Sequence, residues 1–340
     1  MKQFLDKLIK QEALTMEEME AAAQLMFSDE ISDTEVGAFL TGLKVKGETA
    51  DEIAGLVNVI REKSVALPST FSDVMDNCGT GGDGSQSFNI STTSAFVIAG
   101  AGITVAKHGN RSVSSKTGSA DVLENLGVSL SLTSEQTFEI LKENGIAFLF
   151  APHVHPALKR IMGVRKQLRI PTIFNLIGPL TNPVELQTQL LGLYRRDMLE
   201  MMADALHRLG RKRALIINGA GHMDEASLAG DNHLVLLERG EIIRFTLHPE
   251  EVGLPVYDNE QIKGGDSSQN AAILRDVLKG EKGAYRDTVI MNAGLGIFAN
   301  GKAGTVQEGV ALARESIDSG AALSKLEKLI DYSNQKKQEV

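Results

Sequence analysis

Apolar residues recur at helical spacing through the first 65 positions. Phe4, Leu5, Leu8 and Ile9 share one face of a short helix, and Met19, Ala22, Ala23 and Met26 continue the pattern. Ile53, Leu56, Val57 and Ile60 form a further stripe. Thr15 with Glu18, and Thr49 with Glu52, set a capping box ahead of the later two, and Thr305 with Glu308 repeats the signal near the end of the chain. From residue 66 the texture changes to short apolar runs alternating with helical stretches. Strands are predicted at 74–77, 103–106, 146–150, 188–193 and 214–218. Helices are predicted at 91–101, 119–126, 134–144 and 196–209, with a helical stretch over 155–181. Residues 234–238 and 241–248, joined at Arg239 and Gly240, read as an antiparallel hairpin. Helices at 268–279, 287–300, 306–318 and 321–332 finish the chain, and 335–340 is expected to be a frayed polar tail.

This alternation predicts an α/β fold with a small helical N-terminal domain and a large α/β domain around a mostly parallel central sheet. The expected boundaries are 1–65 for the helical domain, completed by helices from about 155–181, and 66–340 for the α/β domain.

Composition narrows the chemistry. A single cysteine, Cys78, leaves no intrachain disulfide and no cysteine-based metal centre. The first twenty residues lack a secretory pattern, and no run of about 18 apolar residues marks a membrane span. A cytoplasmic protein with no membrane partner is expected. Lys and Arg number 35 against 44 Asp and Glu, a net charge of -9, which argues against nucleic acid as a partner. Glycine, at 33 residues, is in excess, and its placement carries the reading further.

Four glycines fall within Gly79–Gly84 (GTGGDG), directly after a predicted strand. Such a run lets the backbone turn tightly and present N–H groups to an anion. Ser85, Ser87, Asn89, Ser91, Thr92 and Thr93 follow around a helix start, a favourable place for phosphate. The spacing is neither that of a P-loop nor that of a dinucleotide fingerprint. A second cluster, Lys107 to Gly118 (KHGNRSVSSKTG), begins where a predicted strand ends, the edge at which open α/β sheets bind ligands. Lys107 offers a point charge there, with Ser114, Ser115 and the Gly118–Ser119 backbone offering directed hydrogen bonds. Asp224 and Glu225 are adjacent carboxylates after the strand at 214–218. Such groups hold Mg²⁺ in company with substrate phosphates, and Asp83 is a further bridge through metal-bound water. Arg165 is suited to grip a carboxylate with its fork. The paired histidines His153 and His155 lack the third ligand a catalytic zinc would need, so packing or substrate contact is the expectation for them.

Taken in order, these blocks resemble the anthranilate phosphoribosyltransferases of tryptophan biosynthesis. The matching landmarks are 79–83 (GTGGD), 89–92 (NIST), 107–111 (KHGNR) with Ser114 and Ser115, and 118–124 (GSADVLE). They continue through 151–153 (APH), 174–183 (FNLIGPLTNP), Asp224–Glu225, 264–266 (GGD), Asn270–Ala271 and 292–294 (NAG). The resemblance implies the nucleoside phosphorylase/phosphoribosyltransferase-like architecture, a homodimer formed through the helical domain, Mg²⁺ as cofactor, and anthranilate and phosphoribosyl pyrophosphate as substrates. Carried over by position, it implies a phosphoribosyl pyrophosphate site at Gly79, Gly82, Asp83, Ser87, Asn89, Ser91, Thr92, Lys107, Ser115 and Ser119. It implies metal contacts at Ser91, Asp224 and Glu225, and anthranilate contacts at Gly79, His108, Asn110, Arg165 and Pro179, with His153 a weaker candidate. Lys107 and His108 are the residues nearest to a catalytic role. No single general base is assigned, and His108 is expected to orient rather than to move a proton.

Two alternatives share parts of the pattern. A pyrimidine-nucleoside phosphorylase also cleaves at ribose C1, and a noncatalytic nucleic-acid-binding relative would show a basic stripe and lose Arg165 or the Asp224–Glu225 pair. The chain departs from many relatives at Gly163, Arg169 and Pro171, where Pro, Gly and Arg are common. Gly163 lacks proline's restraint on φ, so a looser loop ahead of Arg165 is expected.

Overall fold

The computed structural model describes residues 1–67, 71–112 and 116–338. The chain opens with four helices, α1 (Lys2–Ile9), α2 (Met16–Met26), α3 (Asp33–Lys46) and α4 (Ala50–Glu62). Thr15, Ser32 and Thr49 close reciprocal capping boxes with Glu18, Glu35 and Glu52, so α2, α3 and α4 start where their local sequences dictate. The α/β part then runs β1 (Val74–Gly79), α5 (Ile90–Gly100), β2 (Thr104–Gly109), α6 (Ser119–Asn125), α7 (Ser134–Asn144) and β3 (Ile146–Phe150). Three helical pieces follow, α8 (Ala151–Val154), α9 (Leu158–Leu168) and α10 (Phe174–Ile177). Next come β4 (Thr188–Gly192), α11 (Leu199–Arg208), β5 (Arg213–Asn218) and the hairpin β6 (Asn232–Glu238) and β7 (Glu241–Leu247). The chain closes with α12 (Ser267–Leu278), α13 (Ala284–Asn300), α14 (Val306–Asp318) and α15 (Ala321–Gln338).

Among the described residues the strands form one seven-stranded sheet in the order β3-β2-β1-β4-β5-β6-β7. The first five are parallel, and β6 and β7 pair antiparallel at one edge. From β1 the chain winds outward through β2 and β3, then returns to the other side of β1 to lay down β4 and β5. The order therefore reverses between β1 and β4, the place where open parallel sheets leave a crevice at their carboxyl ends.

Alternation along the central strands divides the core between two faces. Leu191, Ala214, Ile216, Val235 and Leu237 pack with α4, α11 and the N-terminal bundle. Leu190, Leu215, Ile217, Leu234 and Leu236 pack with α5, α13 and α15 on the opposite face. Ile161, Val164, Ile173, Phe174, Leu176 and Ile177, from the segment after β3, lie in the same cluster as the N-terminal helices.

Four sequence expectations are corrected. The strand expected to stop at Ala106 continues through Lys107, His108 and Gly109, because these residues pair in parallel register with Phe148, Leu149 and Phe150. The stretch 155–181 is not one helical run: Arg169 ends α9 in the left-handed region (φ 56°), and α10 resumes only at Phe174. Gly163 lies inside α9 rather than in a loop, so the restraint it lacks is supplied by the helix. The tail is not frayed from 335, since α15 runs to Gln338.

Candidate active site

The crevice between β1 and β4 is shaped by glycine. Gly79 and Gly192 stand opposite each other at the strand ends, and Asp224 is seated over both. A Cβ on Gly192 would fall 1.6 Å from the Asp224 carbonyl oxygen, and one on Gly79 would fall 2.2 Å from its Oδ2. No other residue type leaves room for this acid. Beyond Gly79 the chain turns through Gly81 and Gly82 at φ 69° and 83°, where a side chain is strained, and the Gly81 N–H donates to Asp224 Oδ2 at 2.6 Å.

The acids are drawn together around that turn. Asp83 accepts the Ser85 N–H and, at 3.4 Å, the Asp224 N–H. Glu225 accepts the Ser91 N–H at 3.2 Å, a free donor of the first turn of α5. Burial pushes the Asp224 carboxyl up to about 7, with the Asp83 charge adding to the effect. Burial, followed by the Asp224 charge, pushes Glu225 up to about 8, with Lys107 pulling the other way. Neither acid has a Lys, Arg or His within salt-bridge distance among the described residues.

On β2, the neighbour of β1, the opposite charge also lacks an ion-pair partner among the described residues. Lys107 is buried in β2, and among the described residues its Nζ donates only to the His108 carbonyl, at 3.4 Å. A buried ammonium that no carboxylate contacts, near carboxyls that no cation contacts, is costly to keep charged unless a ligand brings closer partners for both.

Below them lies Asp76, fully buried in β1 and unassigned from the sequence. Its Oδ1 accepts the N–H groups of Asn77 at 2.8 Å and His108 at 3.3 Å, while its Oδ2 accepts Asn182 Nδ2 at 3.0 Å and the Cys78 thiol at 3.3 Å. Burial raises its carboxyl, against the pull of the Lys107 charge and these donors. One carboxylate thus ties β1, the end of β2 and the 174–182 segment together. Asn182 completes the tie by donating to the Ala106 carbonyl at 2.8 Å.

Residues 72–323 match the glycosyl transferase family a/b domain, and residues 2–64 match the helical bundle domain of that family. The anthranilate phosphoribosyltransferase of Exiguobacterium sibiricum is 62% identical over 329 residues, covering 97% of both chains. That of Bacillus thuringiensis is 58% identical over the full length of both. The crystal structure of the Thermus thermophilus enzyme of this name superposes with a TM-score of 0.92 at 42% identity, covering 97% of this chain and 99% of that one. The chain belongs to the anthranilate phosphoribosyltransferases. A nucleoside phosphorylase and a nucleic-acid-binding relative are not supported at this identity over this length. The Saccharomyces cerevisiae anthranilate phosphoribosyltransferase, with TM-score 0.89, 28% identity and 98% of this chain covered, was solved in complex with phosphoribosyl pyrophosphate and Mg.

Asn89 precedes α5 but does not cap it; its side chain reaches to Thr117 and Asn270 instead. Ser87 pairs by a single bridge with Lys263, and Thr92 is buried one residue past Ser91. Gly82 is exposed at the tip of the glycine turn. Ser119 opens α6 and donates to the Asn110 carbonyl at 3.2 Å, so Ser119 and Asn110 meet at the mouth of the second loop. Ser114 and Ser115 lie outside the described residues.

His108 is buried and packs edge-on against His155 at 5.2 Å between centroids. Its Nε2 has no partner among the described residues, and burial, with help from His155 and Lys107, drives its imidazolium down to about 3 against a hydrogen bond to the Gly178 backbone. Pro179 follows directly, its carbonyl held by Gln189 Nε2 at 2.7 Å. Arg165 projects from α9 over the Phe174 ring at 5.3 Å and reaches Asn175 Oδ1 at 3.5 Å. It has no carboxylate partner among the described residues, and burial lowers its pKa. Exposed His153 stacks edge-on against Phe150 instead of entering the His108–His155 pair.

Among the described residues no three His, Cys, Asp or Glu side chains converge to hold a metal ion by themselves. The donors present still fit Mg²⁺: Asp224 and Glu225 offer hard oxygen ligands whose ionised form is disfavoured by burial, a cost a bound cation relieves, and Mg²⁺ is ordinarily held by one or two carboxylates with substrate phosphates completing its shell.

Proposed function

We propose that this chain transfers the 5-phosphoribosyl group of phosphoribosyl pyrophosphate to the amine of anthranilate, releasing pyrophosphate. The observation that carries this reading is the gathering of the buried Lys107 amine and the buried Asp224 and Glu225 carboxyls at the carboxyl ends of neighbouring strands, with no ion pair joining them among the described residues. A pyrophosphate that arrives with a divalent cation satisfies both.

The bond from ribose C1 to the pyrophosphate oxygen breaks, and its electron pair leaves with pyrophosphate. The aryl amine supplies the pair for the new C1–N bond and then loses one proton. That amine is uncharged near neutral pH but a weak nucleophile, so alignment and leaving-group stabilisation matter more than a strong base. Lys107 and the N–H groups of the glycine turn meet the charge that grows on pyrophosphate. Mg²⁺, when bound by Asp224 and Glu225 with Ser91 beside them, neutralises phosphate charge. Ser87, Asn89, Thr92 and Ser119 frame the ribose and its phosphates. Arg165 holds the anthranilate carboxylate, with Asn110, Pro179 and the neutral His108 ring forming the walls around the amine. His108, driven to about 3 by burial, stays neutral at working pH and orients rather than carries charge.

A second copy of the chain would cover Ile9 and Val45, apolar residues 77% and 71% exposed on α1 and α3, and a homodimer through the helical bundle is proposed on that ground.

Calorimetric titration of phosphoribosyl pyrophosphate tests the substrate assignment. Binding should tighten when Mg²⁺ is added to the wild type, should not tighten in Asp224→Asn, and should weaken at least tenfold in Lys107→Met. Equal affinity in all three proteins contradicts the assignment.

A further inference from the structure

The sequence landmarks Gly265 and Asn270 have no part in the scheme above, yet they meet both anion loops in a closed ring of hydrogen bonds. Thr117 Oγ1 donates to the Gly265 carbonyl at 2.9 Å, and the Gly265 N–H donates to Asn270 Oδ1 at 2.7 Å. Asn270 Nδ2 donates to Asn89 Oδ1 at 2.8 Å, and Asn89 Nδ2 donates back to the Thr117 carbonyl at 3.3 Å. All four donors point the same way round.

Both amide orientations are fixed by the backbone. Asn270 must turn its oxygen to the Gly265 N–H, which leaves its nitrogen for Asn89. Asn89 must turn its nitrogen to the Thr117 carbonyl, which leaves its oxygen for Asn270. Rotating either amide sets like atoms against each other.

The ring holds Asn89 away from its local alternative. Asparagine ahead of a helix ordinarily caps it, yet Asn89 makes no cap to α5. Asn270 itself is buried, 2% exposed, on the first turn of α12. The segment that carries the ring is pinned to the glycine turn. The Phe88 N–H donates to the Ile262 carbonyl at 3.0 Å, the Gly264 N–H donates to the Gln86 carbonyl at 2.9 Å, and the Phe88 ring packs edge-on against Tyr285 at 4.9 Å. A Cβ at Gly264 would come within 2.8 Å of both the Phe88 Cα and Asn270 Oδ1, so glycine there lets the backbone lie against the loop.

We infer that Asn270 is a positioning residue that clasps the two anion loops, setting Asn89 at the end of the glycine-rich loop in register with Thr117 at the end of the loop that joins β2 to α6. The inference rests on the proposed phosphoribosyl pyrophosphate site. It makes affinity for that substrate depend on a side chain that does not touch it, and leaves anthranilate affinity to Arg165 on another element.

Steady-state kinetics on Asn270→Ala, Thr117→Val, their double variant, Thr117→Ser and Asn89→Ala test it. Both single ring variants should raise the KM for phosphoribosyl pyrophosphate about tenfold while the anthranilate KM stays within about twofold. The double variant should cost little more than either single one, because the ring is broken once. Thr117→Ser, which keeps the hydroxyl, should restore the wild-type KM. Thr117→Val and Thr117→Ser decide the matter should Asn270→Ala fail to fold. If Asn89→Ala raises the phosphoribosyl pyrophosphate KM but Thr117→Val does not, the clasp is overturned and the site stands. If Asn89→Ala leaves that KM unchanged, the site reading falls and the clasp with it.

Discussion

Gly79 and Asp224 are in contact across the β1/β4 crevice: a methyl group on Gly79 would lie 2.2 Å from the Asp224 carboxylate and 2.9 Å from its carbonyl oxygen. The acid is therefore positioned by what the glycine lacks. Gly79→Ala should push Asp224 off the crevice while β1 remains paired with β4. A displacement of this size should lower kcat/KM about 100-fold with the far-ultraviolet circular dichroism unchanged. Wild-type turnover in the variant would show that Asp224 need not stand there.

Arg165 lies over Phe174 with its fork unpaired by any carboxylate among the described residues. Loss of one charge-assisted contact is worth about 1.5–3 kcal/mol, so Arg165→Ala should raise the anthranilate KM about 10–150-fold. The KM for phosphoribosyl pyrophosphate should hold. An unchanged anthranilate KM in folded protein removes Arg165 from the site.

Two substitutions near Arg165 should stabilise the protein for opposite backbone reasons. Gly163 is helical, and a Cβ there meets nothing within 4 Å, so Gly163→Ala should add about 0.5–1 kcal/mol. Arg169 ends the same helix at φ 56°, where a side chain is strained, so Arg169→Gly should also gain about 0.5–1 kcal/mol. Urea unfolding at neutral pH reads both, and a loss at either position contradicts its backbone assignment.

His155 is buried with neither ring nitrogen partnered among the described residues, and burial holds its imidazolium down to about 4. The unfolded chain binds this proton near pH 6.5 and the folded one near pH 4, so the stability this site contributes is present above pH 6.5 and lost as pH falls towards 4. His155→Phe, which keeps an edge-on ring against His108, should therefore gain about 2 kcal/mol over wild type at pH 5, shrinking towards pH 7. Melting curves across that range measure it, and a pH-independent difference would place the effect in packing alone.

What the sequence made legible was local. The capping boxes at Thr15, Thr49 and Thr305 involve residues three apart, and each helix begins where its box stands. The hairpin and the glycine turn are legible for the same reason. The end of β2 was not, because Lys107, His108 and Gly109 are polar or small, and what keeps them in the strand is distant: pairing with β3, and Asp76 accepting the His108 N–H. Asp76 reads in sequence as a polar interruption of a strand, and only its four donors make it a hub. The clasp joins Asn89 to Asn270 across 181 positions, and no periodicity reports a pairing at that range. The break at Arg169 escaped because it uses a left-handed arginine where glycine is the usual signal.

The central claim is that the β1/β4 crevice joins two substrates at ribose C1. Pyrophosphate release from phosphoribosyl pyrophosphate, followed with and without anthranilate in the presence of Mg²⁺, tests it most directly. Pyrophosphate and phosphoribosylanthranilate should form in equal amounts when both substrates are present, with negligible release when anthranilate is omitted. Release at the same rate without anthranilate, or none with it, would contradict the account.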